Sequence, residues 1–265
     1  MPAMKFKIKS LFAGARRNSN SIRDGKVVVS DDPVRQIVQP GDARLINQLI
    51  AETRGMKTIG ERMRHVAGRL LNRPYIHNPL IGSPTEAEVL VTRMDGFDCT
   101  TYLQTVLAIS LSKTLDEFLN NLREIRYRDG KISYQTRLHY TVDWAAYQIN
   151  RGLLTDLTLG EEVLTREKTL SFIKDLPPKT IVLRYYPKHA IDSVSRWLID
   201  GDLIYFTSAR RNLDVIHVGM IFRDSQRLFM RHAQAHRGRS IERDLNDFFR
   251  SSQFNGFIIN RPKGT

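Results

Sequence analysis

Cysteine is almost absent from this chain: there is one, Cys99, so no disulfide can form within it. Stability must come from a packed core, and 265 residues with 41% apolar composition are enough to build one. Long apolar runs are missing too. Segments such as Val106 to Ile109 have the length of buried elements and fall far short of the ~18 apolar residues of a membrane-spanning helix. Neither a CxxC pair nor an HExxH motif occurs, which removes the commonest zinc signatures. Acidic residues are outnumbered, 28 against 41 Lys and Arg, and the formal charge is +13. Such a field draws a protein toward anionic polymers.

No internal repeat or low-complexity segment is visible, and nothing divides residues 31 to 265, which we read as one domain. Residues 1 to 30 read as a basic arm, carrying Lys5, Lys7, Lys9, Arg16, Arg17, Arg23 and Lys26 against Asp24. Its apolar stretch, Leu11 to Ala15, is shorter than the ~7 residues that an export signal needs.

Periodicity predicts helices first. Leu45, Ile46, Leu49 and Ile50 form one stripe after Asp42, a candidate N-cap, and Ile59, Met63, Val66 and Leu70 form another. A third helix should open at Asp98-Cys99, with Leu103, Val106 and Leu107 on one face. A fourth opens with the capping box Thr114-x-x-Glu117, and a fifth runs from Thr141 to Arg151 before Gly152. Strand patterns follow at Glu88 to Thr92, Thr180 to Tyr185, Asp202 to Phe206, Val215 to Phe222, Leu228 to His232 and Phe257 to Ile259. Ser240 is a candidate cap for a helix bearing Ile241, Leu245, Phe248 and Phe249. Helices followed by strands predict an α+β fold with an antiparallel sheet.

Cys99 thus stands at a predicted helix N-terminus, where unpaired N–H groups and the dipole favour thiolate. A nucleophilic thiol needs a base. If the hairpin around Asp224-Ser225 is symmetric, opposed residues sum to 449, which pairs His217 with His232 on one face. One ring can then act as general base while the other orients it. The plain alternatives are a buried apolar cysteine and two unrelated strand histidines.

The ordered segments Arg73-Pro74-Tyr75, Gly96-Phe97-Asp98-Cys99-Thr100-Thr101-Tyr102, Gly201-Asp202-Leu203-Ile204, Asp214-Val215-Ile216-His217-Val218-Gly219 and His232-Ala233 resemble the landmarks of NlpC-type cell-wall peptidases, a bacterial branch of the papain-like fold. The segment Tyr134 to Trp144 narrows the resemblance to the N-acetylmuramoyl-L-alanine amidase-like family. The match runs from about Leu45 to Arg261. It implies Cys99 as nucleophile, His217 as base and His232 as orienting residue, with no cofactor. Tyr75, Asp98 and Thr100 would then serve the oxyanion or substrate, and Arg137, His139, Tyr140, Asp143 and Trp144 the substrate. The implied partner is peptidoglycan or a muropeptide, cleaved at the lactyl–L-Ala bond or within the stem peptide. The implied site of action is the periplasm or envelope, or outside the cell by a signal-independent route. Two positions depart from the pattern: Gln104 replaces an expected acid, and Gln234 an expected serine.

Two rival readings remain at this stage. His139, His217, His232 and His236 could be gathered around zinc, although the spacing suits thiol chemistry better. The basic charge could instead serve nucleic acid, but it is scattered and forms no recognisable binding motif, so no specific nucleic-acid partner is expected.

Overall fold

The computed structural model describes residues 36–264 together with the strand pair Ile22–Arg23 (β1) and Lys26–Val27 (β2). The rest of the arm expected over residues 1 to 30 lies outside the described residues.

The helices precede most of the sheet. Pro40–Glu52 (α1) starts two residues before Asp42, because proline suits a first helical turn. Asp42 accepts the Met94 N–H at 3.1 Å instead of capping. A small parallel pair, Gln36–Val38 (β3) with Leu90–Thr92 (β4), flanks that contact. Ile59–Arg69 (α2) is closed by a capping box of Thr58 and Glu61. Cys99–Ser110 (α3) follows its cap Asp98, and every residue from Thr101 to Ser110 is buried, the mark of a central helix. Leu115–Arg126 (α4) is capped by Thr114, but the Glu117 carboxylate takes the Lys113 N–H, so the predicted box is only half formed. Thr141–Asn150 (α5) ends before Gly152, whose φ of 77° is open to glycine.

The strands are Leu154–Asp156 (β5), Leu164–Leu170 (β6), Lys179–Pro187 (β7), Leu203–Thr207 (β8), Val215–Asp224 (β9), Arg227–Gln234 (β10), Arg239–Asp244 (β11) and Gly256–Pro262 (β12). They form a sheet in the order β11-β10-β9-β8-β12-β7-β6, with β5 pairing the Asn260–Pro262 end of β12 opposite β8, and every pairing is antiparallel. The predicted α+β architecture with an antiparallel sheet is present. Ser240, predicted to cap a helix, caps none. It sits inside β11, and its hydroxyl donates to the Leu70 carbonyl at 2.7 Å. The helix begins later, at Leu245–Ser251 (α7), on the cap Asp244.

Alternation along the strands feeds two cores. Leu203, Tyr205, Val218, Met220 and Phe222 pack against the helical layer around α3. Ile204, Phe206, Ile221, Met230 and Phe257 face the other way, onto α7 and the short helix Ile191–Val194 (α6). The β9–β10 register differs from the symmetric guess. Asp224 pairs with Arg227 and Met220 with Arg231, so opposed residues sum to 451, around a Ser225-Gln226 turn in which Ser225 takes φ 51°. A two-residue shift preserves parity, so the two histidines still share a face.

Candidate active site

Helix α3 packs on both β9 and β10. The helix is anchored at this end by Asp98, whose Oδ1 accepts from the Thr101 N–H at 2.7 Å and the Thr101 hydroxyl at 2.8 Å, while Thr101 Oγ1 accepts the Asp98 N–H. Cys99 is therefore held at a defined first turn. Thr100, exposed, places its hydroxyl 4.0 Å from the sulfur.

The thiol does not behave as its helix position alone predicts. Burial, and then the Asp98 carboxylate, push it up to about 11, outweighing the backbone N–H of Val218, which favours the thiolate. The helix dipole supplies only ~0.3–1 kcal/mol in most settings, less than such a desolvation. Cys99 rests as a thiol.

Val218 directly follows His217. The His217 ring reaches across to His232, Nε2 to Nδ1 at 2.5 Å, and the two rings meet edge to face. Phe248 of α7 contacts both rings and Phe206 stacks on His217. This contact is diagonal in the ladder, as twisted strands allow. Burial drives His217 down to about 4 and, with the charge on His217 and Arg243 added, His232 to about 2. Both rings are neutral at pH 7. No hydrogen bond joins Cys99 to His217 among the described residues; the sulfur meets the Val218 backbone N–H, and the contact at Nε2 leaves His217 Nδ1 open. His232 Nε2 is buried without a partner.

Tyr75 bridges to Phe97 beside this turn, with its ring edge to face on His77. Burial, then Cys99 and Asp98, raise its hydroxyl to about 12, which keeps it a neutral donor. His139 and Trp144 line a recess with Thr100 and Val218. Trp144 is also a core residue, its indole N–H donating to the Ile125 carbonyl at 2.8 Å.

The other sequence-derived binding residues are already engaged. Arg137 pairs with buried Glu88 at 3.1 Å and lies over the Tyr134 ring. Asp143 pairs with Lys179. Tyr140 is buried, and its hydroxyl accepts the Ile173 N–H at 3.1 Å. Among the described residues no group of three His, Cys, Asp or Glu is arranged to hold a metal ion.

Sequence reasoning missed Arg126. It is wholly buried, donating from Nε to Gln104 Oε1 at 3.0 Å and from Nη1 to the Val91 carbonyl at 2.8 Å. The available signal was its position four residues after Leu122, on the apolar face of α4.

Comparison with known proteins converges on one family. The family described as AmiA-like, N-acetylmuramoyl-L-alanine amidase-like, matches residues 65–257. Among solved structures, an N-acetylmuramoyl-L-alanine amidase from Bacteroides uniformis is 28% identical at a TM-score of 0.70, covering 77% of this chain and 99% of that one. A Legionella pneumophila protein shares the fold at a TM-score of 0.74 and 23% identity, covering 84% and 94% of the two chains. A Bacteroides fragilis protein named as a candidate xylanase is similar as well, at 26% identity and a TM-score of 0.66, covering 74% and 98%. The search of curated proteins found no match.

Proposed function

Because the chain belongs to the N-acetylmuramoyl-L-alanine amidase-like family, we propose that it hydrolyses an amide bond of peptidoglycan or its fragments by NlpC-type, papain-like cysteine catalysis. The observation that carries this reading is that Cys99, at the α3 N-terminus, meets the backbone N–H of Val218, the residue next to His217, which is itself hydrogen-bonded to His232. On this reading residues 31 to 265 act as one catalytic domain behind the basic arm.

The chemistry follows from the protonation states. His217 Nδ1 takes the Cys99 proton as the sulfur attacks the amide carbonyl carbon, which avoids forming a free thiolate in a site that disfavours one. The imidazolium so formed keeps its Nε2–H on His232 Nδ1, so His232 orients the ring and accepts without itself becoming charged. The oxyanion would be met by the Cys99 backbone N–H and the neutral Tyr75 hydroxyl. As the C–N bond breaks, His217 returns the proton to the leaving amine, and water then hydrolyses the thioester. No step requires a cofactor. A glycosidase reading would need two facing carboxylates. Those near the site are committed, Asp98 to its cap and Asp143 to Lys179.

Of the two bonds the resemblance leaves open, the lactyl–L-Ala amide is favoured by the name of the matching family. Purified muropeptides digested with the wild type and with Cys99→Ala, and read by mass spectrometry, test this. Intact stem peptide plus free sugar from the wild type alone is the expected result. Muramic acid retaining L-Ala-D-Glu would instead identify a D-glutamyl endopeptidase. Polyanion binding without turnover, unchanged in Cys99→Ala, would make the chain a binding protein.

A further inference from the structure

The recess beside Cys99 is small and is lined by Leu103, Gln104, His139, Trp144 and Val218 among others. Its walls are mainly apolar, but one buried amide on it is only half satisfied. Gln104 is 3% exposed, and while Oε1 accepts from Arg126, Nε2 has no hydrogen-bond partner among the described residues. The amide cannot turn over. A guanidinium offers only donors, so Arg126 takes the carbonyl oxygen and the NH2 is left for the recess. Arg126 makes no ion pair among the described residues, and the Asp98 carboxylate acts on it only at longer range. The buried positive charge behind Gln104 therefore favours an electron-rich oxygen in front of it.

A second group lining the recess complements this donor. His139 Nε2 lies 2.8 Å from the Tyr134 carbonyl, which can only accept, so Nε2 carries the proton and the neutral ring keeps Nδ1 as a bare acceptor. Burial holds the ring neutral. A donor, an acceptor and apolar walls together suit one peptide unit with a small apolar side chain. The space is small, so a peptide group presented at its mouth can reach the donor while a disaccharide must stay outside it.

We infer that Gln104 is a specificity-determining residue of this site, its Nε2 receiving the carbonyl oxygen of the small apolar residue whose amine is released, L-alanine in a muropeptide. The inference rests on the proposed amidase reaction. It gives a function to the glutamine that stands where the family resemblance implies an acid.

Gln104→Glu is the test. It keeps an acceptor for Arg126, and the guanidinium holds the new carboxylate ionised, so a purely structural Gln104 would lose nothing. The substrate carbonyl would meet a carboxylate in place of an N–H. We expect kcat/KM on a muramyl-L-Ala-D-Glu substrate to fall at least ~10-fold, with the thermal midpoint retained. The rate and pH profile of Cys99 alkylation by iodoacetamide, too small to use the recess, should not change. A substrate with methylene in place of the L-alanine carbonyl should lose activity with the wild type but no further activity with the variant. Equal cleavage by both enzymes, losses that simply multiply, or slowed alkylation in the variant would each overturn the inference while leaving the amidase reading intact. No cleavage of any muropeptide by the wild type would overturn both.

Discussion

At Cys99 two effects oppose each other, and their sizes decide the chemistry. The helix N-terminus favours thiolate, while burial beside Asp98 raises the thiol to about 11. Iodoacetamide alkylation of the folded protein should therefore remain slow at neutral pH and climb above pH 9, past the ordinary thiol value of ~8.5; a plateau below pH 8 would show a stabilised thiolate instead. The proposed base, His217, titrates in the opposite direction. Since burial lowers His217 to about 4, the acid limb of kcat/KM should inflect near 4 and not near the usual ~6.5, with activity lost as protonation removes the base. On the proposed roles, His217→Ala should cost ~10²–10⁴ in turnover, and His232→Gln, which would remove only an orienting group, should cost less. The meeting of His217 with His232 was legible because a parity rule leaves few choices. The Gln104–Arg126 pair was not, since it joins side chains 22 positions apart through a contact that no local pattern encodes.

Elements were legible where their signals are local. The stripe of α2, the cap of α3 and the glycine after α5 are written within a few residues each. Strand β6 was invisible because its sequence, Leu-Thr-Arg-Glu-Lys-Thr-Leu, is mostly exposed on a sheet edge and has no apolar alternation until Lys168 and Leu170 turn inward. Strand β11 was misread because Ser240, a good helix cap by type, finds its partner in the distant Leu70 carbonyl. The hairpin shows which errors matter: a register wrong by two residues keeps His217 and His232 on one face, whereas an error of one would have separated them. The capping box of α2 gives a clean test of local energetics, being far in sequence from the site and reciprocal in Thr58 and Glu61. Thr58→Ala should lower unfolding free energy by ~1 kcal/mol, measured in urea, with kcat/KM unchanged.

For the whole molecule, the neutral histidine pair ties stability to pH. In the unfolded chain both rings titrate near ~6.5, but in the fold burial lowers His217 to about 4 and His232 to about 2. The unfolded state therefore binds more protons throughout that interval, so stability is full above about pH 6.5 and falls as the pH drops toward and through 4. Each ring can contribute a slope of up to ~1.4 kcal/mol per pH unit. Carboxyl groups raised by burial, Asp98, Asp202 and Asp214 among them, work in the other direction, because they take up protons in the folded state first. Glu52, lowered to about 2 by His65 first and then by Arg69, adds to the acid loss only below its ordinary value of 4.5. Between pH 6.5 and 5 the buried histidines should dominate, and the double variant His217→Gln/His232→Gln isolates their share. Urea unfolding at pH 7 and pH 5 should show a marked loss for the wild type and a much smaller one for the double variant; equal losses would mean that the two rings are not held neutral by the fold.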